Sequence, residues 1–254
     1  MLSKAQLNFI KQLQQKKYRK QHGRFLVEGE KAVAELIASD FVVDKIFGTQ
    51  LWYEKNLQHK HSFPSEIITQ KQLNEVSQLV TPNQVIAMAL LPQSNLKQDD
   101  LNNELILVLD GINDPGNLGT LIRTADWFGI SHIICSNNTV DAFNFKSVQA
   151  TMGSLFRCKL HYVDLPTWLL AYKVETKLPI YVSTLRGQNI YNTRLATNGA
   201  IVIGNESHGV SNEVIAIANH QITIPPFKTS NQAESLNAGI AGALMMAAFR
   251  QQSV

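Results

Sequence analysis

The chain has 254 residues, 44% hydrophobic and 17% charged, with 23 Lys and Arg against 20 Asp and Glu. That apolar share supports a buried core, and the low charge excludes disorder driven by self-repulsion. The net charge of +3 is too small to name a nucleic-acid partner by itself.

Two cysteines, Cys135 and Cys158, with no CxxC and no His cluster at zinc spacing, argue against a disulfide scaffold or a metal site. They fit a reducing cytoplasm. Lys4, Lys11, Lys16 and Lys17 break up any apolar signal core. The longest apolar run, Ala238 to Phe249, falls short of the ~20 residues that span a bilayer, so no membrane partner is expected.

Taken in chain order, Leu7, Ile10 and Leu13 have helical spacing. Phe25 to Val27 is strand-like, and Lys31 to Ala38 carries Val33, Leu36 and Ile37 on one helical face. Short strands are expected at Phe41–Val43 with Ile46–Phe47, at Glu66–Thr69 and at Gln84–Leu90, with a helix over Lys71–Leu79. The polar stretch Pro92 to Asp100 has turn formers and no periodicity. It divides the chain into an α/β module over 1–95, a linker over 96–104 and a second module over 105–254.

The second module alternates more clearly. Leu105 to Leu109 is a continuous apolar run, as in a strand buried on both faces. A loop, Asp110 to Gly119, leads to a helix with Leu121, Ile122, Ala125 and Phe128 inward. Further strands are expected at His132–Cys135, Ile180–Ser183 and Ala200–Ile203, and helices at Phe145–Ser154 and Ser235–Gln251. The pattern is a parallel sheet with helices on both faces.

Charge is uneven. Residues 1–96 hold 12 basic and 8 acidic side chains, a net +4, and residues 97–254 hold 11 and 12, a net −1. The first 24 residues contain Lys4, Lys11, Lys16, Lys17, Arg19, Lys20 and Arg24 and no carboxylate. This reads as a phosphate-contacting arm. A solvated helix face fits the same composition.

Open α/β sheets bind ligands beyond the carboxyl ends of their strands. Three loops qualify. The first is Asp110-Gly-Ile-Asn-Asp-Pro-Gly-Asn-Leu-Gly119, in which Pro115-Gly116 forces a turn and Asn117 is polar at a helix mouth. Arg123, about one turn inside that helix, offers a planar fork for phosphate or carboxylate. The second is Gly204-Asn-Glu-Ser-His-Gly209, with glycines either side of Glu206. The third runs from Ile224-Pro225-Pro226 to Ser235-Leu-Asn237, where Ser235 or Asn237 can cap the next helix. Each alone also fits a structural turn or cap. No GxGxxG, GxxxxGK[ST] or GxSxG motif is present.

Together and in this order, the three loops resemble the motifs of the SpoU/TrmH family of SPOUT methyltransferases. The matching stretches are Asn113 to Gly119 with Arg123-Thr-Ala125, Ile201 to Glu206 with Gly209, and Ile224-Pro225 with Ser235-Leu-Asn237. Ala150 to Arg157 resembles the family's segment between the first two motifs, and Arg24 to Glu30 the start of its N-terminal domain. The resemblance implies methylation of a ribose 2′-hydroxyl in ribosomal or transfer RNA with S-adenosylmethionine. It implies a small RNA-binding domain over 1–95 and a SPOUT methyltransferase domain with a deep trefoil knot over 105–254.

By the same likeness Asn117, Arg123, Glu206, Ser235 and Asn237 form the catalytic set, and Thr184, Gly204, Ile224 and Leu236 line the cofactor site. Lys16, Lys17, Arg19, Lys20 and Arg24 contact RNA. A homodimer through the knotted domain, using Ile240, Leu244, Ala247 and Ala248, is implied as well. The chain departs from the family where Pro226 replaces a methionine, a glycine is missing before Ser235 and the 226–234 segment is longer. Competing expectations are a non-catalytic RNA-binding factor of the same fold and a base-nitrogen methyltransferase.

Overall fold

The structure is a computed structural model, describing residues 2–56, 63–93, 96–227 and 234–251. The chain forms two compact units: Met1–Gln93 together with Asp141–Phe156, and Ser94–Val140 together with Arg157–Val254.

The first unit opens with α1 (Lys4–Gln12), where Ser3 and Gln6 form a reciprocal capping box, and α2 (Lys16–His22), closed by Gly23 in the left-handed region. Then follow β1 (Arg24–Glu28), α3 (Glu30–Ile37), β2 (Val43–Gly48), α4 (Gln50–Lys55), β3 (Ser65–Ile67), α5 (Gln70–Val76) and β4 (Val85–Leu90). The sheet order is β1-β4-β2-β3, with β4 antiparallel to both neighbours and β2 parallel to β3. Ile10, Leu13, Leu26, Phe47, Leu73, Ile86 and Met88 pack into its core.

Residues 141–156 are expected from sequence to belong with the downstream strands, yet they complete this first unit. Their helix α7 (Phe145–Thr151) starts after Asn144, which caps Ser147 N–H. Phe143 packs against Phe25 at 4.9 Å between ring centroids, and Phe156 against Phe41 at 5.4 Å. The helix ends earlier than the expected Ser154, because Met152 and Gly153 turn to φ 51° and 97°.

The second unit contains β5 (Leu105–Asp110), α6 (Pro115–Trp127), β6 (His132–Ser136), β7 (Lys159–Val163), α8 (Leu165–Thr176), β8 (Ile180–Asn189), β9 (Gly199–Gly204), α9 (Asn212–Ile217), β10 (His220–Thr223) and α10 (Ala238–Gln251). Its six strands are all parallel, in the order β10-β8-β9-β5-β6-β7. Every residue of β5 is buried, which explains its unbroken apolar run. Across the sheet lies a core of Ile106, Val108, Ile134, Val182, Ala200 and Val202. α10 lies close to α6, since a Cβ on Gly242 would come within 2.2 Å of a Leu121 methyl.

β5 is central. Strands β6 and β7 lie to one side of it, and β9, β8 and β10 to the other. Asp110 at the end of β5 pairs with Gly204 at the end of β9. The loops after these strands therefore emerge side by side where the strand order reverses, which is where an α/β sheet leaves a crevice. β8 adds an irregularity. It pairs with β10 through Tyr181 and Val182, leaves the ladder over 183–187 and rejoins at Gln188 and Asn189.

Candidate active site

The first motif is shorter as a loop than the Asp110–Gly119 expectation. Asp114 takes the N-cap of α6 and accepts from Asn117 N–H at 2.7 Å, with Pro115 at the first helical position. Asn117 is thus already helical and Gly119 is a buried helix residue. Arg123 stands eight residues past the helix start rather than one turn in. It lies six positions beyond Asn117, roughly 9 Å along the axis and about a third of a turn round it. Its side chain is exposed.

Three of the expected catalytic residues meet by hydrogen bonding. Asn117 donates from Nδ2 to the Glu206 carboxylate. Asn237 donates from Nδ2 to Asn117 Oδ1 at 2.9 Å. The Oδ1 of Asn237 caps α10 by accepting from Gly239 N–H at 3.0 Å and Ile240 N–H at 3.3 Å. Of the two cap candidates, Asn237 is the cap, and α10 begins at Ala238 instead of Ser235. Each loop therefore contributes one member to the chain Glu206–Asn117–Asn237. Arg123 and Ser235 are exposed and take no part in its hydrogen bonds.

A second tier supports these loops. Asp110, 8% exposed, accepts from Ser211 N–H at 2.8 Å and Ser211 O–H at 2.7 Å, which fixes the start of α9. Asn205 donates from Nδ2 to the Gly111 carbonyl at 2.8 Å and accepts from Ser207 N–H at 2.8 Å and His208 N–H at 3.2 Å. The structure thus employs Asp110 and Asn205, whose signal in sequence was only that of polar residues at strand ends. His208 is exposed and its backbone belongs to this turn.

Two of the four cofactor candidates, Gly204 and Ile224, sit at the carboxyl ends of parallel strands. Thr184 lies in the 183–187 excursion of β8, Gly204 ends β9, Ile224 follows β10, and Leu236 precedes α10. Two observations fit a bound small molecule. Thr184 Oγ1 is buried with no hydrogen-bond partner among the described residues, a costly state for a hydroxyl unless a ligand completes it. A Cβ on Gly204 would fall 2.2 Å from the Gly209 carbonyl carbon, so only glycine lets the two backbones approach. Residues 228–233 of the unusual third-motif segment lie outside the described residues.

In the first unit the basic arm divides. Lys16, Lys17 and Lys20 on α2 are exposed. Arg19 is corrected: it is 3% exposed and donates to Asp141 Oδ2 at 2.6 and 3.1 Å and to the Leu13 and Gln14 carbonyls at 2.9 and 2.7 Å. Its guanidinium closes α1 and is unavailable to a phosphate. Arg24, half-buried, is likewise engaged with Asp44 at 2.9 Å. The composition could not separate inward from outward cations, because the partner of Arg19 lies 122 residues away.

Other chemistries are disfavoured by what surrounds the candidate groups. Burial pushes the Cys158 thiol up to about 12 and raises Cys135 as well, so neither is poised as a nucleophile. Among the described residues no group of three or more His, Cys, Asp or Glu is placed to hold a metal ion, and no helix is long and apolar enough to cross a membrane.

Comparison with known proteins identifies the family. Residues 104–247 match the SpoU rRNA methylase family, and residues 4–87 match the MRM3-like substrate binding domain. The 23S rRNA guanosine 2′-O-methyltransferase RlmP of Bacillus subtilis is 29% identical over 245 residues, covering 93% of this chain and 92% of its own. A solved structure described as a putative RNA methyltransferase of the TrmH family, from Porphyromonas gingivalis, superposes with a TM-score of 0.88 at 33% identity, covering 99% of both chains. The methyltransferase AviRb of Streptomyces viridochromogenes, solved with S-adenosylmethionine, shares the fold with a TM-score of 0.87 at 23% identity.

Proposed function

The chain belongs to the SpoU rRNA methylase family, and from that premise we propose that it methylates one ribose 2′-hydroxyl of ribosomal RNA at the Glu206–Asn117–Asn237 cluster. The enzyme is an S-adenosylmethionine-dependent RNA ribose 2′-O-methyltransferase. The observation that carries the site assignment is the hydrogen-bonded chain that joins one residue from each of three separate motifs.

S-adenosylmethionine supplies a methyl group already activated by a positive sulfur, so the protein's task is mainly to orient the reactants. Correct positioning alone contributes roughly 7–11 kcal/mol to such a step. Thr184 and the backbone around Gly204, Ile224 and Leu236 hold the cofactor. Asn117, fixed by Glu206 on one side and Asn237 on the other, holds the ribose, with Ser235 alongside. The Arg123 guanidinium offers only N–H donors and no acceptor, so it is assigned to binding and not to proton removal. It grips the phosphate next to the target ribose, and that phosphate or a water takes the hydroxyl proton. The positive fork also steadies negative charge developing on the 2′-oxygen.

The exposed Lys16, Lys17 and Lys20 give the first unit salt-dependent affinity for RNA. A homodimer is part of the same reading. On α10, Ile240 and Leu244 are 52% and 39% exposed one turn apart, while Met245, Met246 and Phe249 are buried on its other side. Ala248 is also buried, so the dimer surface is narrower than the four residues expected. A deep trefoil knot in the C-terminal part of the second unit completes the proposal, and the cytoplasm is where such a substrate would be met.

Labelled methyl transfer to ribosomal RNA and to transfer RNA, each followed by alkaline hydrolysis, tests the assignment. A single alkali-resistant linkage in ribosomal RNA is the expected result. Label confined to transfer RNA, or label at linkages that alkali still cleaves, overturns it.

A further inference from the structure

Gly111 is the first residue after β5 and has φ +71°, a left-handed conformation that glycine adopts without strain. Both of its backbone polar groups are taken by side chains from elsewhere in the second unit. Its N–H donates to Ser136 Oγ at 2.8 Å, and its carbonyl accepts from Asn205 Nδ2 at 2.8 Å. Ser136 ends β6, and Asn205 follows β9. The residue that opens the Asn117 loop is thus gripped from both flanking strands.

The Ser136 arm has a fixed direction. Ser136 Oγ lies 2.9 Å from Thr139 Oγ1, and Thr139 Oγ1 donates to the Leu109 carbonyl at 3.2 Å. A hydroxyl has one proton, so with Thr139 donating to Leu109, Ser136 must donate to Thr139. The run is Gly111 N–H to Ser136, Ser136 O–H to Thr139, Thr139 O–H to Leu109. It leaves β5 and returns to it two residues upstream. Ser136 is 5% exposed and Thr139 1%, so water does not compete for these bonds, which polarise one another. Val140 N–H donates to the Ile112 carbonyl at 2.8 Å, adding a backbone tie to the same loop.

We propose that Ser136, oriented by Thr139, is a positioning residue for methyl transfer: with Asn205 it clamps the Gly111 peptide and so sets where Asp114, the cap of α6, presents Asn117 to Glu206. None of the three loop motifs includes Ser136 or Thr139, and neither touches the Glu206–Asn117–Asn237 cluster. Their leverage is geometric. Only Ile112 and Asn113 separate Gly111 from the Asp114 cap, so release of Gly111 lets the helix mouth shift, and displacements near 1 Å at a reacting centre cost about a hundredfold in rate. The inference rests on the site assigned above, and the experiment separates the two.

Methyl transfer by the full-length protein is measured for Ser136→Ala, Thr139→Val, Asn117→Ala and the Ser136→Ala/Asn117→Ala pair, along with S-adenosylmethionine affinity, KM for RNA and thermal melting. Ser136→Ala should lower kcat about tenfold to a hundredfold. Its cofactor affinity and KM should stay within about twofold, since neither the cofactor residues nor the RNA-facing lysines are touched. Thr139→Val keeps the side-chain shape, loses the acceptor that orients Ser136, and should lower kcat in the same direction by less.

On the Asn117→Ala background, Ser136→Ala should cost little more, because the group through which it acts is gone. Full additivity, or lowered melting with unchanged kcat per folded protein, would overturn the clamp. If Ser136→Ala fails to fold, Thr139→Val carries the same decision. An Asn117→Ala enzyme of normal activity would instead defeat the site assignment on which the clamp rests.

Discussion

Replacing Arg19 with Ala separates two opposed readings of the basic arm. The side chain of Arg19 is 4% exposed and that of Asp141 15%, so their pair is little screened by water. Truncation strands the Asp141 carboxylate and frees the Leu13 and Gln14 carbonyls near the end of α1. Removing one partner of a buried pair costs about 3–5 kcal/mol. For a protein of this size about 1 kcal/mol lowers Tm by roughly 2–4 °C, so the expected drop is about 6–20 °C. Arg19→Lys should recover only part of it, because an ammonium cannot span the carboxylate and both carbonyls as the planar fork does. The assays are calorimetry and the salt dependence of RNA affinity in the folded protein. A slope of log affinity against log salt unchanged from the parent is expected. A variant that melts within about 1 °C of the parent, yet loses close to one unit of slope, would refute the structural role and restore Arg19 as a phosphate contact.

Lys16, Lys17 and Lys20 changed together to Gln should leave melting unaltered and reduce that slope by about 2–3, and an unchanged slope would return the arm to a solvated surface. Gly204→Ala should abolish cofactor binding measured by calorimetry, because the new methyl falls 2.2 Å from the Gly209 backbone; binding within twofold of the parent would contradict that crowding. His161 has its pKa pushed down to about 4 by burial, with the neighbouring His132 and Lys159 adding to the shift. The unfolded chain, with His near 6.5, binds more protons between these values, so stability should be complete above about 6.5 and fall as pH drops toward 4. Urea titrations of His161→Leu should show a flatter acid limb over that window, and an identical limb would remove His161 from the account.

How far the sequence could be read depended on the range of the interactions. β5 was legible because a fully buried strand writes an unbroken apolar run, and the body of α6 by its spaced apolar residues, but its first turn from Pro115 reads in sequence as loop. β7, Lys159–Val163, was not expected: it alternates charge and imidazole with apolar residues, and its place at the sheet edge comes from pairing with β6. β8 was expected to end at Ser183, and its continuation to Asn189 is set by β10. α8, with apolar residues all around, gives no clear periodicity. Within the site, Asn117, Glu206 and Asn237 stood out by resemblance of whole motifs. That they form one hydrogen-bonded chain depends on contacts spanning 89 and 120 residues. Arg19 failed for the same reason, since nothing near it in the sequence announces Asp141.

The excursion of residues 141–156 has a consequence for ancestry and engineering. Neither compact unit is a continuous stretch of gene, because the chain passes between them at 93/94, 140/141 and 156/157. A recombination event at the apparent linker would hand over a first unit without α7 and without Asp141, leaving Arg19 buried and uncompensated. The two halves are therefore expected to have been inherited and to diverge as one piece. A chimera that swaps target preference among relatives needs three junctions rather than one.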